Sequence, residues 1–482
     1  MGLTEKERYE SMSASVSDGF FSAILFYLTS TFFGAFALAL GADNTYIGLL
    51  ASVPLIFWTL AQYPAAKAVD RNGNRKLITL ASLAASRLLI IPLILLPTMH
   101  MANPLAFLIV FVSMSSFFNA FSNPSWASWI ADIVPANIRG RFFSTRLRKY
   151  TAASIIALLF SAGVFTVFPK TDLGGFQLIF SVGAAAGIIS LYFIYRMKDT
   201  GIESAHIASA SSIMYFWKNR AMRKFILIFF VWQFGVTLSV PFYVVRLVRY
   251  LGAGYEWVAF QVILMSVSML AFQNTWGRYL DRFGSRVVLS LCALGAAFYP
   301  FFWLFVRAPY QIIPIEIMSG IAWSGVNIAY FSYMIEISPS QKRHFHLALF
   351  YIVFGLAGIL GPLAGSSISA LSAGSSFLGF EGLEIVFFFS WLIRLAGAVM
   401  FIKFLDEIAI RQRVRASYVF GDLMKYGQKK ALSAVYLTRS ESRKALSATR
   451  KRLRHVNMTK VNDVARKIKA RRPSGRRRQV RP

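Results

Sequence analysis

Three ionisable side chains, Glu316, Arg87 and Arg394, fall inside long apolar runs of this sequence. A charge in such a run costs about 2.5–3.5 kcal/mol on insertion scales, so each is a functional candidate by default. A partly desolvated carboxyl at Glu316 suits a proton carrier; the competing reading is an interfacial acid facing water. Arg394, near the middle of its run, either pairs with a buried acid or reaches along its stem to an interface. Around these charges, polar and aromatic residues recur at helical spacing. Asn119, Asn123 and Trp126 fall at i, i+4, i+7, and Glu316, Trp323, Asn327 and Tyr330 at i, i+7, i+11, i+14, so each set projects from one helical face. Trp232, Gln233, Thr237 and Tyr243 crowd a third run, and Tyr27, Thr29, Ser30 and Thr31 a fourth. Such faces either line a polar cavity or hold helices together by hydrogen bonds.

No catalytic constellation accompanies them. The chain has no G-x-x-x-x-G-K-[ST] phosphate loop, no H-E-x-x-H and no G-x-S-x-G, and its five His form no cluster suited to a metal. The expectation is therefore a non-enzymatic protein without cofactor or metal, and ATP-driven pumping or lipid chemistry is disfavoured.

The elements that carry these residues are membrane spans. Apolar residues make up 56% of the 482 and charged residues only 15%, against about 25% charged in a soluble domain. Runs of about 20 apolar residues, each long enough to cross a hydrocarbon core of ~30 Å, recur along the first 405 positions. They read as spans over 19–40, 45–66, 77–97, 103–129, 147–168 and 175–196, then 222–247, 255–277, 287–306, 310–333, 345–371 and 382–405. The first run is too long for a signal-peptide core and has no small-residue cleavage site behind it, so it is expected to stay in the mature protein. The single cysteine, Cys292, lies within a span, which leaves no internal disulfide framework.

Counted with the flanking turns, the N-terminal segment and the loops on its side collect 22 Lys/Arg. The opposite loops hold four: Lys170, Arg246, Arg249 and Arg307. This bias places both termini in the cytoplasm of a protein of the cell membrane, plasma or inner.

A repeat divides the chain. Asp70-Arg71-Asn72-Gly73-Asn74-Arg75 after the second span reappears as Asp281-Arg282-Phe283-Gly284-Ser285-Arg286 after the eighth. Asp132, Pro135 and Arg139 after the fourth span reappear at the same spacing as Glu336, Pro339 and Arg343 after the tenth. Two matches at nearly one offset, each at the equivalent topological place, indicate two related halves of six spans. The organisation expected is an N-terminal segment (1–18), a first bundle (19–196), a Ser/Ala-rich linker (197–221), a second bundle (222–405) and a basic tail (406–482).

On these motifs, with Trp129 to Pro135 and Arg139-Gly140-Arg141, the chain resembles the major facilitator superfamily over about residues 15–405. It departs from the family's usual loop at Ala66, where a glycine is common, and at Asn74 and Ser285, where a basic residue is. The resemblance implies an all-α integral membrane fold, with twelve transmembrane helices in two pseudo-symmetric six-helix bundles, working by alternating access. It further implies that Asp70 faces the start of span 11 and Asp281 the start of span 5. Arg71, Gly73, Arg75, Asp132 and Arg139, with Arg282, Gly284, Arg286, Glu336 and Arg343, would complete two clusters that latch the cytoplasmic side. Spans 1, 4, 7 and 10 would line the cavity, which makes Asn119, Asn123, Trp126, Trp232, Gln233, Glu316, Trp323 and Asn327 candidates for the path of solute or proton; Arg394, on peripheral span 12, joins them as a charge within a span.

The run Gly355-x-x-Gly358-x-x-Gly361-Pro362-x-x-Gly365 in span 11 allows close helix approach and a bend. In the superfamily that the chain resembles, a similar Gly-Pro motif goes with antiporters when it lies in the fifth span. Span 5 here has no proline before its end, so the resemblance does not extend to the drug–proton antiporters. The 77 residues from Asp406 hold 23 Lys/Arg and five Asp/Glu. Such a tail beside a membrane is drawn to anionic lipid headgroups, while no recognition motif supports nucleic-acid binding. The function expected is a monomeric secondary transporter of a small organic solute, with a proton as candidate coupling ion. The alternatives are a sensor or scaffold that kept the fold, and a lipid-moving protein.

Overall fold

The computed structural model describes residues 3–72, 74–99, 101–135, 138–170, 172–199, 219–338, 343–372 and 376–406. Most of the expected linker, all but the first residue of the tail, and Gly73 and Pro339 of the repeated loops lie outside them. Among the described residues, twelve helices are long and apolar enough to cross a membrane. In the first half they are α1 (Glu5–Ala39), α2 (Asn44–Asn72), α3 (Arg75–Thr98), α4 (Pro104–Ile133), α5 (Arg139–Val167) and α6 (Gly174–Arg196). In the second they are α7 (Arg220–Tyr250), α8 (Glu256–Phe283), α9 (Ser285–Leu304), α10 (Pro309–Ile337), α11 (Arg343–Leu371) and α12 (Leu383–Phe404).

Local chemistry sets several ends. Asn74, Asn103 and Asn219 each accept a backbone N–H at the start of α3, α4 and α7, satisfying donors that the helix itself leaves unpaired. Thr4 and Glu7 cap α1 reciprocally, so the helix begins well ahead of the apolar run that starts at residue 19. Between α8 and α9 a single residue makes the turn: Gly284 has φ +86°, a conformation that strains any side chain bearing a Cβ. This accounts for Gly284 in the second copy of the loop.

The contacts repeat as the sequence does. In the first half α1 packs on α5 and α6, α4 on α2 and α3, and α3 on α6. In the second α7 packs on α11 and α12, α10 on α8 and α9, and α9 on α12. Both α1 and α7 are interrupted, at residues 30–32 and 240–241, at nearly the offset of the repeated loops. The halves meet along α2 with α11 and α5 with α8.

We call the N side the one bearing the N-terminus of α1. Hydrogen bonds and ring contacts join the halves on the opposite side. There Arg249 donates to the Ala42 carbonyl and Lys170 to that of Gly252. Asn44 donates to Ser369 at 2.7 Å. Tyr255 of α8 sets its ring against Phe165 and Phe176.

The glycine run of α11 is a packing surface. A Cβ on Gly361 would lie 2.1 Å from the Thr237 hydroxyl, and one on Gly365 would lie 2.2 Å from the Leu238 carbonyl oxygen. Thr237 also donates to the Ala357 carbonyl at 2.6 Å, and Ser52 of α2 to that of Ile359 at 3.0 Å. These two carbonyls flank that of Gly358, which Pro362 deprives of its helical partner. The expectation of close approach is met by backbone contact, with α7 on one side and α2 on the other.

Gly365→Val forces α7 and α11 apart, and overpacking of this kind costs about 1–3 kcal/mol or more. A markedly lower unfolding temperature is expected in a thermal scan of the purified protein. Gly163→Val, where a Cβ would meet nothing within 4 Å, should unfold close to the unaltered chain.

Candidate functional site

Two adjoining cavities hold most of the buried charge. The first, about 470 Å³, is a cleft between the halves. Its first-half wall is built by Ser30, Thr31, Phe33 and Gly34 of α1 with Ile47 and Leu50 of α2. Its second-half wall carries Tyr243, Tyr299, Glu316, Trp323 and Arg394. The second cavity, about 500 Å³, lies within the first half, among α1 to α5. Ser30 and Phe33, at the interruption of α1, line both. Either volume is in the range that holds a small organic ligand, roughly 300–1,000 Å³.

In the cleft, Glu316 is 2% exposed and accepts a hydrogen bond from the Tyr299 hydroxyl at 2.6 Å. The Tyr299 ring meets Tyr243 edge-on, 4.8 Å between centroids. The Tyr243 hydroxyl shares a 2.9 Å hydrogen bond with Ser239, and Ser239 accepts from Arg394 at 2.8 Å. Arg394 is 1% exposed. Its three nitrogens donate to the carbonyls of Gly235, Val236 and Ala296 as well. No carboxylate lies within 4 Å of it among the described residues. The charge is dispersed over carbonyl and hydroxyl dipoles where α7, α9 and α12 meet. Gly235 makes that junction possible, because a Cβ there would lie 2.9 Å from the Arg394 backbone nitrogen.

The first half solves the same problem with an ion pair. Arg87 of α3 donates to Ser190 of α6 at 2.8 Å and to Ser22 of α1 at 3.3 Å. Asp18 of α1, 3% exposed, places one carboxylate oxygen 3.8 Å from Arg87 and the other 3.2 Å from Arg146 of α5. Ser190 donates a short hydrogen bond to the same carboxylate. The Arg146 guanidinium lies over the Trp126 ring, 4.7 Å from its centroid.

The structure distributes the sequence candidates unevenly. Asn119, Asn123 and Trp126 line the first-half cavity together. Glu316, Trp323 and Arg394 line the cleft. Asn327, on the same face of α10 but farther along, lines a third cavity of about 300 Å³ between α5 and α8. Trp232 lies behind Trp323, ring centroids 5.5 Å apart, with Phe401 on its other side. Gln233 is buried beside it and lines neither principal cavity.

Of the loop residues, Arg75 is buried and pairs with Asp132 of its own half. In the second half Ser285 donates to Glu336 at 2.5 Å, and Arg286 donates to the Ile402 carbonyl at 2.8 Å. Asp281 and Arg282 are exposed at the end of α8. The side chains of Asp70, Arg71, Arg139 and Arg343 lie outside the described residues, as does Gly73.

Asp18 and Arg146 escaped the sequence reading. Each stands one residue outside the apolar window of its span, so each resembled a flanking charge. For Asp18 the available signal was the Thr4/Glu7 capping pattern, which starts the helix well ahead of the window; the helix of Arg146 has no such cap.

The Major Facilitator Superfamily profile matches residues 19–362 and 235–417. The chain is 26% identical over 248 residues to the "Uncharacterized MFS-type transporter YfkF" of Bacillus subtilis (strain 168). The aligned part is 50% of this chain and 60% of that protein's length. Among solved structures, the nucleoside transporter NupG superposes with a TM-score of 0.63 at 15% identity, covering 82% of this chain and 98% of that one. A bacterial homolog of the human lysosomal transporter Spinster, inward-facing and occupied, gives 0.65 at 14% identity over 86% and 100%. A D-xylose-proton symporter gives 0.64 at 13% over 84% and 99%.

Removing one member of a buried charge cluster leaves the others uncompensated, at a cost of about 3–5 kcal/mol. Asp18→Asn, which strands both Arg87 and Arg146, should therefore lower the unfolding temperature by many degrees. Asp18→Glu should recover part of the loss in the same measurement.

Proposed function

The chain belongs to the major facilitator superfamily, a family of multi-pass membrane transporters, and from that premise we propose that it carries a small organic solute by proton-coupled alternating access. The observation that carries the reading is the cleft between two pseudo-symmetric halves with the Glu316 carboxyl on its wall. A carboxyl group there, held by one tyrosine hydroxyl, can give up or take up a proton as the cleft changes its exposure. The likeness in fold to a nucleoside transporter and to a D-xylose-proton symporter supports a polar organic solute and a proton as its driving ion.

The loop bias of 22 Lys/Arg against four supports a cytoplasmic N side, so the halves would be joined on the outer side and the cleft would serve the cytoplasm. The repeated loops then act as the inner latch. Asp70 would meet the start of α11 and Asp281 the start of α5 when the halves close, with Arg75 and Asp132 completing one cluster and Arg286 and Glu336 the other. The basic tail holds to anionic lipid on the same side, and the transporter works as a monomer.

Flux into proteoliposomes tests the reading, with sugars, nucleosides, amino acids, organic anions and cationic drugs, each with and without a pH gradient. Saturable uptake that a gradient drives uphill is expected. Glu316→Gln should lose the gradient-driven accumulation while exchange without a gradient persists. Silence across the whole panel, from protein shown to be folded, would shift the reading to a lipid-moving or sensing role.

The latch makes a separate prediction. Asp70→Asn should insert normally and slow transport severalfold. A transport rate equal to that of the unaltered protein would remove Asp70 from the latch.

A further inference from the structure

The cavity inside the first half carries one more cation than anion. One carboxylate, Asp18, serves two guanidinium groups, Arg87 and Arg146. Arg87 is almost wholly buried, lines the cavity, and leaves its Nη1 without a hydrogen-bond partner. The buried arginine of the other half makes the contrast: every nitrogen of Arg394 has an acceptor. A buried guanidinium donor left unsatisfied is costly, and so is an excess charge. A single added negative charge with a free lone pair answers both.

The rest of the wall says what that charge is attached to. Phe26, Phe33, Trp58, Trp126 and Tyr150 supply aromatic surface, while Asn119 and Asn123 supply amides near the N side. A dianion would replace an excess of one sign with an excess of the other.

We propose that this cavity binds an amphipathic organic monoanion, its carboxylate accepting from the Arg87 guanidinium and its apolar body lying against Trp58 and Phe33. Ser30 and Phe33 line both cavities, so the site adjoins the cleft. The inference rests on the transporter reading for its role, and it names the class of solute. Arg146 is held over Trp126 by Asp18 and steadies the field at the site.

The test is equilibrium binding to the full chain in lipid nanodiscs, read by tryptophan fluorescence and by thermal shift. The probes are benzoate, indole-3-acetate and hexanoate, each beside its isosteric amide, with benzylphosphonate, at about pH 9 where its second proton is lost, as the dianion. Hydrogen bonds to a charged group predict half-saturation at about tenfold lower concentration for the acids than for the amides. Benzylphosphonate should bind more weakly than benzoate. Arg87→Gln should abolish the preference for acid, and Arg87→Lys should keep part of it. Equal affinity for acids and amides, no binding of any acid, or an acid preference that survives in Arg87→Gln would overturn the proposal. The preference in the unaltered protein is the primary result, so a variant that fails to fold does not blunt the test. The two readings fail separately. Carboxylate binding without flux would overturn transport and leave the site standing. Saturable flux of neutral or cationic solutes with no carboxylate binding would do the reverse.

Discussion

Hydrocarbon offers no hydrogen-bond partner, so every charge and every open carbonyl at membrane depth must be answered by the protein itself. The architecture of both halves follows from how that demand is met. In each, an arginine lies buried where the first, third and last helices converge. Arg87 reaches from α3 to α1 and α6, and Arg394 reaches from α12 to α7 and α9. Each side chain ties three helices by bonds that lipid cannot replace. The halves differ in how they neutralise the charge, with a carboxylate in one and carbonyl dipoles in the other.

The interface between the halves is of another kind. Helices α2 and α11 meet through small residues. A Cβ on Gly48 would lie 2.5 Å from the Ser366 side chain, and Leu55 packs over Gly358. Few hydrogen bonds cross here, and those that do end on backbone carbonyls or hydroxyls. Rigid bodies bound internally by buried charge, and to one another by smooth contact, are what rocking about a central site requires. The interruptions of α1 and α7 fall beside the cleft, where a change of pitch would alter its walls without breaking either bundle.

The placement of ionisable groups also separates structure from chemistry. Every nitrogen of Arg394 has an acceptor, and its effect on the cleft is exerted through Tyr243 and Ser239. Glu316 faces the cleft with one hydroxyl partner, and Arg87 retains an open nitrogen. A buried polar group that is fully bonded rigidifies. One left partly open is where a proton or an anion can be taken.

The spans, their order and the two-fold repeat were legible in the chain, because lipid imposes a length and an apolarity on every crossing helix and the loop motifs recur at one offset. Asn119, Asn123 and Trp126 share a cavity, as their spacing on one helix face implied, because a helix carries its neighbours at i+4 and i+7 together wherever it goes. Rotation about the helix axis is not written in any single span. Trp232 turned into the bundle beside Phe401, Gln233 is buried away from both principal cavities, and Asn327 came to a different cavity from Glu316. The join between Asp18 and Arg146 was invisible for a related reason: a window of hydropathy ends where charge begins, whereas the helices run on past it. Which of two charges are neighbours, and which nitrogen stays open, depends on the close approach of helices distant in sequence, and only packing in three dimensions decides that.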